Sequence, residues 1–208
     1  IIDENTITNS GQNGGLCSGV IENNGIRLFG NNTSITSNII ANNGGAGVAI
    51  TSGNTSGNLI SQNSIYNNGT TSPALGIDID QTTGGNPVGD GVTLNDTNDS
   101  DAGPNGSLNF PVFESASVSG SALKVVGWAR PGAIVEFFLT DINQGTASVG
   151  DNQLGLTQDY GEGQVFLASA VEGSGADLDG TTSSYTDADG NTDTTNRFNF
   201  TITLSPSI

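Results

Sequence analysis

The sequence predicts an all-β chain in two parts, with short stacked strands in the first half and longer paired strands in the second. Three observations carry that reading. Gly accounts for 31 of the 208 residues, Met is absent and Lys occurs once. Such a chain lacks the supply of strong helix formers, and its many Gly and Asn residues suit turns because both tolerate positive φ. The stretch Ile35 to Asn43, Ile-Thr-Ser-Asn-Ile-Ile-Ala-Asn-Asn, returns as Ile60 to Asn68, Ile-Ser-Gln-Asn-Ser-Ile-Tyr-Asn-Asn, and a period of this size marks a repeat architecture. Beyond Leu108 apolar residues alternate with polar ones, most cleanly at Phe198, Phe200, Ile202 and Leu204, the period of a half-buried strand.

The repeat begins at the first residues, where Ile2, Asn5, Ile7 and Asn9 hold the same register. Each copy is followed by Gly and an alternating segment: Gly25-Ile26-Arg27-Leu28, Gly47-Val48-Ala49-Ile50 and Gly76-Ile77-Asp78-Ile79. Segments of three to five residues are too short for free-standing hairpins, but they can stack on copies of themselves. The geometry that fits is a right-handed parallel β-helix with coils of about 25 residues and about 4.8 Å between coils. Isoleucines would point inward, and the turn asparagines would form ladders. The first two copies sit 33 residues apart, and the excess around Gln12 to Gly19 reads as a loop inserted in one turn. Residues 1–92 are assigned to this region.

Structural readings account for most of the conspicuous residues. The Asn positions suit ladders and turns better than a binding code. The sequons at Asn32 and Asn54 are expected by chance in a chain so rich in Asn, Ser and Thr. Cys17 is a small filler, because a chain without His has no imidazole to activate it. Tyr66 reads as a surface aromatic rather than a sugar platform.

Charge narrows the functions. Twenty-one acids against four Lys and Arg leave a net charge of −17, which disfavours nucleic acid, since phosphate binding needs clustered cations. Absence of His removes the usual general base and the commonest transition-metal ligand. A lone Cys can form neither an intrachain disulfide nor a thiolate zinc site. Neither a signal peptide nor a membrane-spanning apolar run is present, and the opening in mid-repeat is expected of a segment of a longer protein.

From Asp78 the text changes. Gly76-Ile77-Asp78-Ile79-Asp80 closes the last coil, and Gly89-Asp90-Gly91-Val92-Thr93-Leu94-Asn95-Asp96 leads to Asp101-Ala102-Gly103-Pro104-Asn105-Gly106-Ser107-Leu108-Asn109-Phe110-Pro111-Val112. These strings, with Asp159 to Leu167 and Asn196 to Ile202, resemble a module of large secreted bacterial surface proteins often labelled by an N-terminal Cys-Ser-Leu-Arg-Glu-Ala motif. That motif is absent here. The resemblance implies β-helix repeats, an Asp-rich junction (residues 93–109) and an immunoglobulin-like β-sandwich (residues 110–208) on an extracellular or cell-surface protein. It carries over no catalytic residue.

The junction offers oxygen ligands at Asp90, Asn95, Asp96, Asn98, Asp99, Asp101 and Asn105, of which Asp96, Asp99 and Asp101 are the central candidates for Ca²⁺, an ion that takes six to eight oxygens. The EF-hand spacing is not met, because the twelfth position from Asp96 is Ser107. A second candidate is Asp187, Asp189, Asn191 and Asp193, which match positions 1, 3, 5 and 7 of a calcium loop. Its Gly lies at position 4 instead of 6, and Phe198 stands at position 12.

In the second half the strands predicted are Val112 to Val118, Leu123 to Ala129, Ala133 to Thr140, Gln164 to Val171 and Arg197 to Leu204, with a tight turn at Pro131-Gly132. Val125 and Trp128 with Phe137 or Phe138 are expected to fill the core. The polar stretches 141–163 and 172–196 leave room for short strands. The resemblance implies one more strand after the last, so either the segment is cut short of it or an edge is left open, and open edges invite pairing.

These features favour a non-catalytic structural or adhesion module, a rigid spacer with Ca²⁺ as a candidate stiffener. Its partners would be neighbouring domains, copies of itself or a surface glycan, with no membrane insertion in this segment. The alternative is a polysaccharide-binding or polysaccharide-cleaving β-helix protein. Asp78 and Asp80, two apart on one strand, are its only plausible carboxylate pair. Recognition of ice or crystalline glycan is disfavoured because Thr36, Thr51 and Ser61 form no unbroken Thr ranks.

Overall fold

A computed structural model describes residues 1–11, 16–17, 20–21, 23–51, 55–71, 74–80, 91–97, 99–100, 102–140, 161–186 and 192–206. The chain divides into two units. The first comprises Ile1–Thr93, Ala102–Ser107 and Phe138–Phe166, and the second Leu94–Asp101, Leu108–Phe137 and Leu167–Ile208. The junction is thus shared between the units, and residues 138–166 group with the repeats. Among the described residues the structure is all-β, and no helix is long and apolar enough to cross a membrane.

In the first unit the strands are β1 (Ile2–Asp3), β2 (Thr6–Thr8), β3 (Leu16–Cys17), β4 (Val20–Ile21), β5 (Ile26–Leu28), β6 (Ser34–Thr36), β7 (Ile39–Ala41), β8 (Val48–Thr51), β9 (Leu59–Ser61), β10 (Ser64–Tyr66) and β11 (Ile77–Asp80). Nine of them form three parallel sheets, β1-β6-β9, β2-β7-β10 and β5-β8-β11. The repeat sets the register: Ile2 pairs with Ile35 and Ile35 with Ile60, while Ile7 pairs with Ile40 and Ile40 with Ile65. Stacking like on like puts one column of isoleucines inside each of the first two sheets, where Ile35 and Ile40 are wholly buried, while the third stacks Ile26 on Val48 and Leu28 on Ile50. Part of the eight-residue excess is the small antiparallel pair β3-β4.

Corners between the short strands are left-handed. Glu4, Ser37 and Gln62 have φ of 56°, 56° and 55°, and Asn9, Asn42 and Asn67 have φ of 63°, 57° and 54°. A non-Gly residue in this region costs about 1 kcal/mol, so the corners persist because the residue after each is bonded into the stack. Glycine is required before the third sheet. A Cβ on Gly47 would lie 2.6 Å from the Gly76 carbonyl oxygen and 2.9 Å from Ile65 Cγ2, and one on Gly25 would lie 2.7 Å from the Gly47 carbonyl.

The second unit holds β12 (Val112–Ser119), β13 (Ala122–Ala129), β16 (Thr182–Thr186) and β17 (Thr192–Thr203) in one antiparallel sheet of order β12-β13-β17-β16. Strands β14 (Ile134–Leu139) and β15 (Val165–Val171) pair with each other. Val125, Ala129, Phe198, Phe200 and Ile202 from the first sheet meet Val135 and Phe137 from β14, with Leu167, Ala168 and Ala170 from β15 against them. All five predicted strands are present, and β16 lies in one of the stretches left open for short strands.

One expectation needs correction. Trp128 does not join Val125 in the core. Residues three apart on a strand face opposite sides, and Trp128 lies half-buried beneath the Arg197 guanidinium, 6.0 Å from its ring centre. Strand β17 is paired by β16 from Thr192 to Asn196 and by β13 from Asn196 to Thr203, so along Arg197–Thr203 no described strand pairs its second side. The strand at the end of the sheet with both faces exposed is β12, from Phe113 to Ser119.

Candidate functional site

Three columns of corner side chains run along the first unit, and they are its most organised polar feature. In the first, Asn5 N–H and Nδ2–H both donate to Asn38 Oδ1 (2.8 and 3.3 Å). Asn38 N–H and Nδ2–H in turn donate to Asn63 Oδ1, both at 2.9 Å. In the second, Ser10 N–H donates to Asn43 Oδ1 (3.0 Å), and Asn43 N–H and Nδ2–H donate to Asn68 Oδ1 (3.2 and 2.8 Å). In the third, Thr33 N–H donates to Asn58 Oδ1 (2.9 Å). The remaining amide hydrogens reach back to main-chain carbonyls, Asn63 to Ile35 (2.8 Å) and Asn68 to Ile40 (3.0 Å). Asn38, Asn43, Asn63 and Asn68 are almost wholly buried. Such burial is tolerated only because nearly every donor and acceptor finds a partner.

Two of the columns end on a different residue. Asn68 N–H and Nδ2–H donate to Glu162 Oε2 and Oε1, both at 2.8 Å. A carboxylate accepts and does not donate, so it meets both hydrogens and closes the ladder. Adjacent backbone adds to the same edge: Ile65 N–H donates to the Gly163 carbonyl (2.9 Å) and Ser64 Oγ–H to the Gln164 carbonyl (2.6 Å). Burial pushes the Glu162 carboxyl above its ordinary range, and the two bonds from Asn68 only partly oppose that. Asn105 closes the third column, accepting from Asn58 N–H (2.9 Å) and donating to the Asn58 carbonyl (3.0 Å). Asn105 has φ of 53°, which turns its side chain back on the stack.

Two of the predicted calcium ligands, Asp96 and Asp99, meet protein donors. Asp96 accepts from Ser100 N–H (3.0 Å) and Ser100 Oγ–H (2.7 Å). Asp99 accepts from Asn109 N–H (2.6 Å) and forms an ion pair with Arg130. Asn95 exchanges two bonds with Phe110, both 2.9 Å, in the manner of a strand pair. Asn105, counted among the junction ligands, serves the Asn58 column instead. Asp90, Asn98, Asp101, Asp187, Asp189 and Asn191 lie outside the described residues; Asp193 pairs its backbone with Tyr185 in β16. Among the described residues no three His, Cys, Asp or Glu are grouped to hold a metal ion.

Asp78 is 1% exposed and accepts from Gly91 N–H at 3.2 Å. Its strand neighbours in register are Ala49 and, beyond it, Arg27. Asp80 pairs with Thr51. In the second unit charge collects at the surface. Arg197 Nε donates to Glu114 (2.7 Å), and Nη1 pairs with Asp179. Arg197 holds Glu114 below its ordinary range, and bonds from Thr181, with Arg197 behind them, do the same for Asp179.

No protein-family model matches the chain, and no solved structure does.

Sequence reasoning missed both closing residues. Glu162 lies in a string read as part of the second half, and nothing local distinguishes it from any other Gly-flanked acid. Asn105 carried one signal, a Pro-Asn-Gly turn, but that signal is common to many loops.

Proposed function

We propose that the chain is a non-catalytic structural or adhesion module of a large secreted or cell-surface protein. In this reading its first unit is a right-handed parallel β-helix and its second an immunoglobulin-like β-sandwich. The observation that carries it is the use made of the repeated residues. Isoleucines Ile35, Ile40 and Ile65 are consumed by the core and the buried asparagines Asn38, Asn43, Asn63 and Asn68 by the columns, which leaves these positions little for a ligand. The paired sheets with a shared aromatic core support the sandwich reading. Net charge of −17 suits an exterior, soluble spacer and disfavours nucleic acid.

The competing reading, a polysaccharide-cleaving enzyme, needs a carboxylate that can touch a glycosidic oxygen. Asp78, at 1% exposure and held by Gly91, is poorly placed for that task. Stiffening of the junction is supplied by Asn95, Asn109 and the Asp99–Arg130 pair within the second unit, with Ca²⁺ left as an addition to test. The deciding experiment is incubation with acidic and neutral polysaccharides, followed by product analysis and a binding measurement. Neither cleavage nor retention is expected. Cleavage that disappears in Asp78→Asn would overturn the proposal.

A further inference from the structure

Four Asn–Gly pairs lie among the described residues, Asn24–Gly25, Asn43–Gly44, Asn68–Gly69 and Asn105–Gly106, and a fifth, Asn13–Gly14, lies outside them. This dipeptide carries its own reaction. The glycine nitrogen can attack the asparagine Cγ to close a cyclic imide, and Gly hinders that attack least because it has no Cβ. By sequence the pairs are equivalent. The structure makes them unlike, because closure needs the peptide between the two residues to swing until its nitrogen meets Cγ. Three pairs are held against that motion. The Gly25, Gly44 and Gly69 N–H groups donate to the Ala46, Ser10 and Gly45 carbonyls at 2.9, 2.8 and 2.8 Å. Asn24, Asn43 and Asn68 are at most 8% exposed. A Cβ on Gly25 would lie 2.6 Å from Asn43 Nδ2, and one on Gly44 would lie 2.8 Å from Thr71 Oγ1. Gly69 is itself buried.

Asn105–Gly106 differs on each count. Asn105 is half-buried and Gly106 exposed. A Cβ on Gly106 would meet nothing within 4 Å, so the peptide has room to swing. The bond that restrains its nitrogen, 3.0 Å to the Gly103 carbonyl, closes only a local turn. The other reactant is meanwhile held in place, since Asn58 N–H donates to Asn105 Oδ1 at 2.9 Å. A donor on that oxygen draws electrons from Cγ and stabilises the negative charge that attack puts there.

We propose that Asn105–Gly106 is a modification site, at which the chain deamidates itself and thereby opens the third column. The Gly106 nitrogen bonds to Asn105 Cγ, the Cγ–Nδ2 bond breaks, and ammonia departs with the proton of Gly106 N–H. Water then adds to one of the two imide carbonyls and opens the ring. One opening gives aspartate; the other gives isoaspartate, in which the main chain runs through the former side chain. Aspartate has no hydrogen for the Asn58 carbonyl, which Asn105 Nδ2 serves at 3.0 Å. Isoaspartate also lengthens the main chain by a methylene and withdraws the acceptor from Asn58 N–H. Neither product returns to asparagine, because the ammonia is lost. The change therefore accumulates with age at this corner while the buried columns stay intact.

The test ages the folded protein in mildly alkaline buffer beside a sample in concentrated urea, with circular dichroism to confirm that the first stays folded. Peptide mapping by mass spectrometry, with aspartyl and isoaspartyl forms separated by chromatography, reads each Asn–Gly site. In urea the four sites are expected to convert at similar rates. In the folded sample Asn105 is expected to stay within about tenfold of its urea rate, because only a local turn must open. Asn24, Asn43 and Asn68 are expected to slow by roughly a hundredfold or more, because their corners open only with the stack. In the isoaspartyl form the Asn58 amide should exchange with solvent about tenfold faster. The assignment fails if Asn105 stays unmodified in the folded protein, or converts no faster there than Asn24, Asn43 and Asn68. Unchanged exchange at Asn58 would refute the opening of the third column.

Discussion

The two units satisfy their buried groups by different means. In the repeat unit the core is aliphatic and thin, each coil contributing one isoleucine to a column, and polar side chains are buried beside it at the corners. In the second unit the core is aromatic, with Phe198 and Phe200 stacked 5.1 Å apart and Phe137 edge-on to both. Its ion pairs run from Arg197 to Glu114 and Asp179 and from Arg130 to Asp99. A repeat can bury amides because each one meets an identical neighbour, so one solved hydrogen-bond problem solves all rungs. A sheet pair without a repeat has no such regularity and buries apolar rings instead.

The comparison predicts where each unit breaks. Phe198→Ala empties the centre of the second core and should cost about 3–5 kcal/mol. Trp128, the only tryptophan, reports that loss through its fluorescence midpoint in urea. Asn43→Ala removes an acceptor for Ser10 and a donor to Asn68 while leaving the corner buried. About 2–4 kcal/mol of destabilisation is expected by circular dichroism. A cost below 1 kcal/mol would mean that the columns decorate the stack without holding it. Gly47→Ala drives a Cβ against the Gly76 carbonyl and should cost about 1–3 kcal/mol, whereas Ala at the open Gly175 should be nearly neutral.

Acid should act on the two units with opposite signs. Glu162 has a folded pKa above its unfolded value. Its contribution is therefore greatest below the unfolded pKa and is lost as pH rises through the folded one. Glu114 and Asp179 have folded pKa values below the unfolded ones, so their contribution is present above the unfolded pKa and lost as pH falls through the folded value. Chemical denaturation across the acid range should show the first dependence vanish in Glu162→Gln and the second shrink in Arg197→Gln. Glu162→Gln should also destabilise at neutral pH, by about 1–2 kcal/mol, because its amide turns a donor toward a donor of Asn68. The smallest effect concerns the junction. Added Ca²⁺ is expected to leave the melting midpoint unchanged at Asp96 and Asp99, whose oxygens already meet Ser100, Asn109 and Arg130. A rise that EDTA reverses and Asp99→Asn abolishes would place the ion there.

Much of the repeat unit was legible because its physics is periodic. Ile35 and Ile60, the Gly before each third segment and the Asn at each corner recur at one spacing, so their roles follow from position alone. The second unit was legible in its strands, since alternation at Phe198, Phe200 and Ile202 dictates a buried face. Its pairing order was not, because partners of β12, β13, β16 and β17 are chosen by packing across long stretches of chain.

By itself the sequence determined the all-β class, the stacking register and the inward isoleucines, all of which depend on residues near one another or on exact repetition. Only the tertiary structure decided where the columns end. Glu162 lies 94 positions from Asn68, and Asn105 lies 47 from Asn58. A closing residue occurs once, outside the repeat, and needs only to present an acceptor in the right place. No local pattern encodes that, because chain closure over such distances is settled by the packing of everything between.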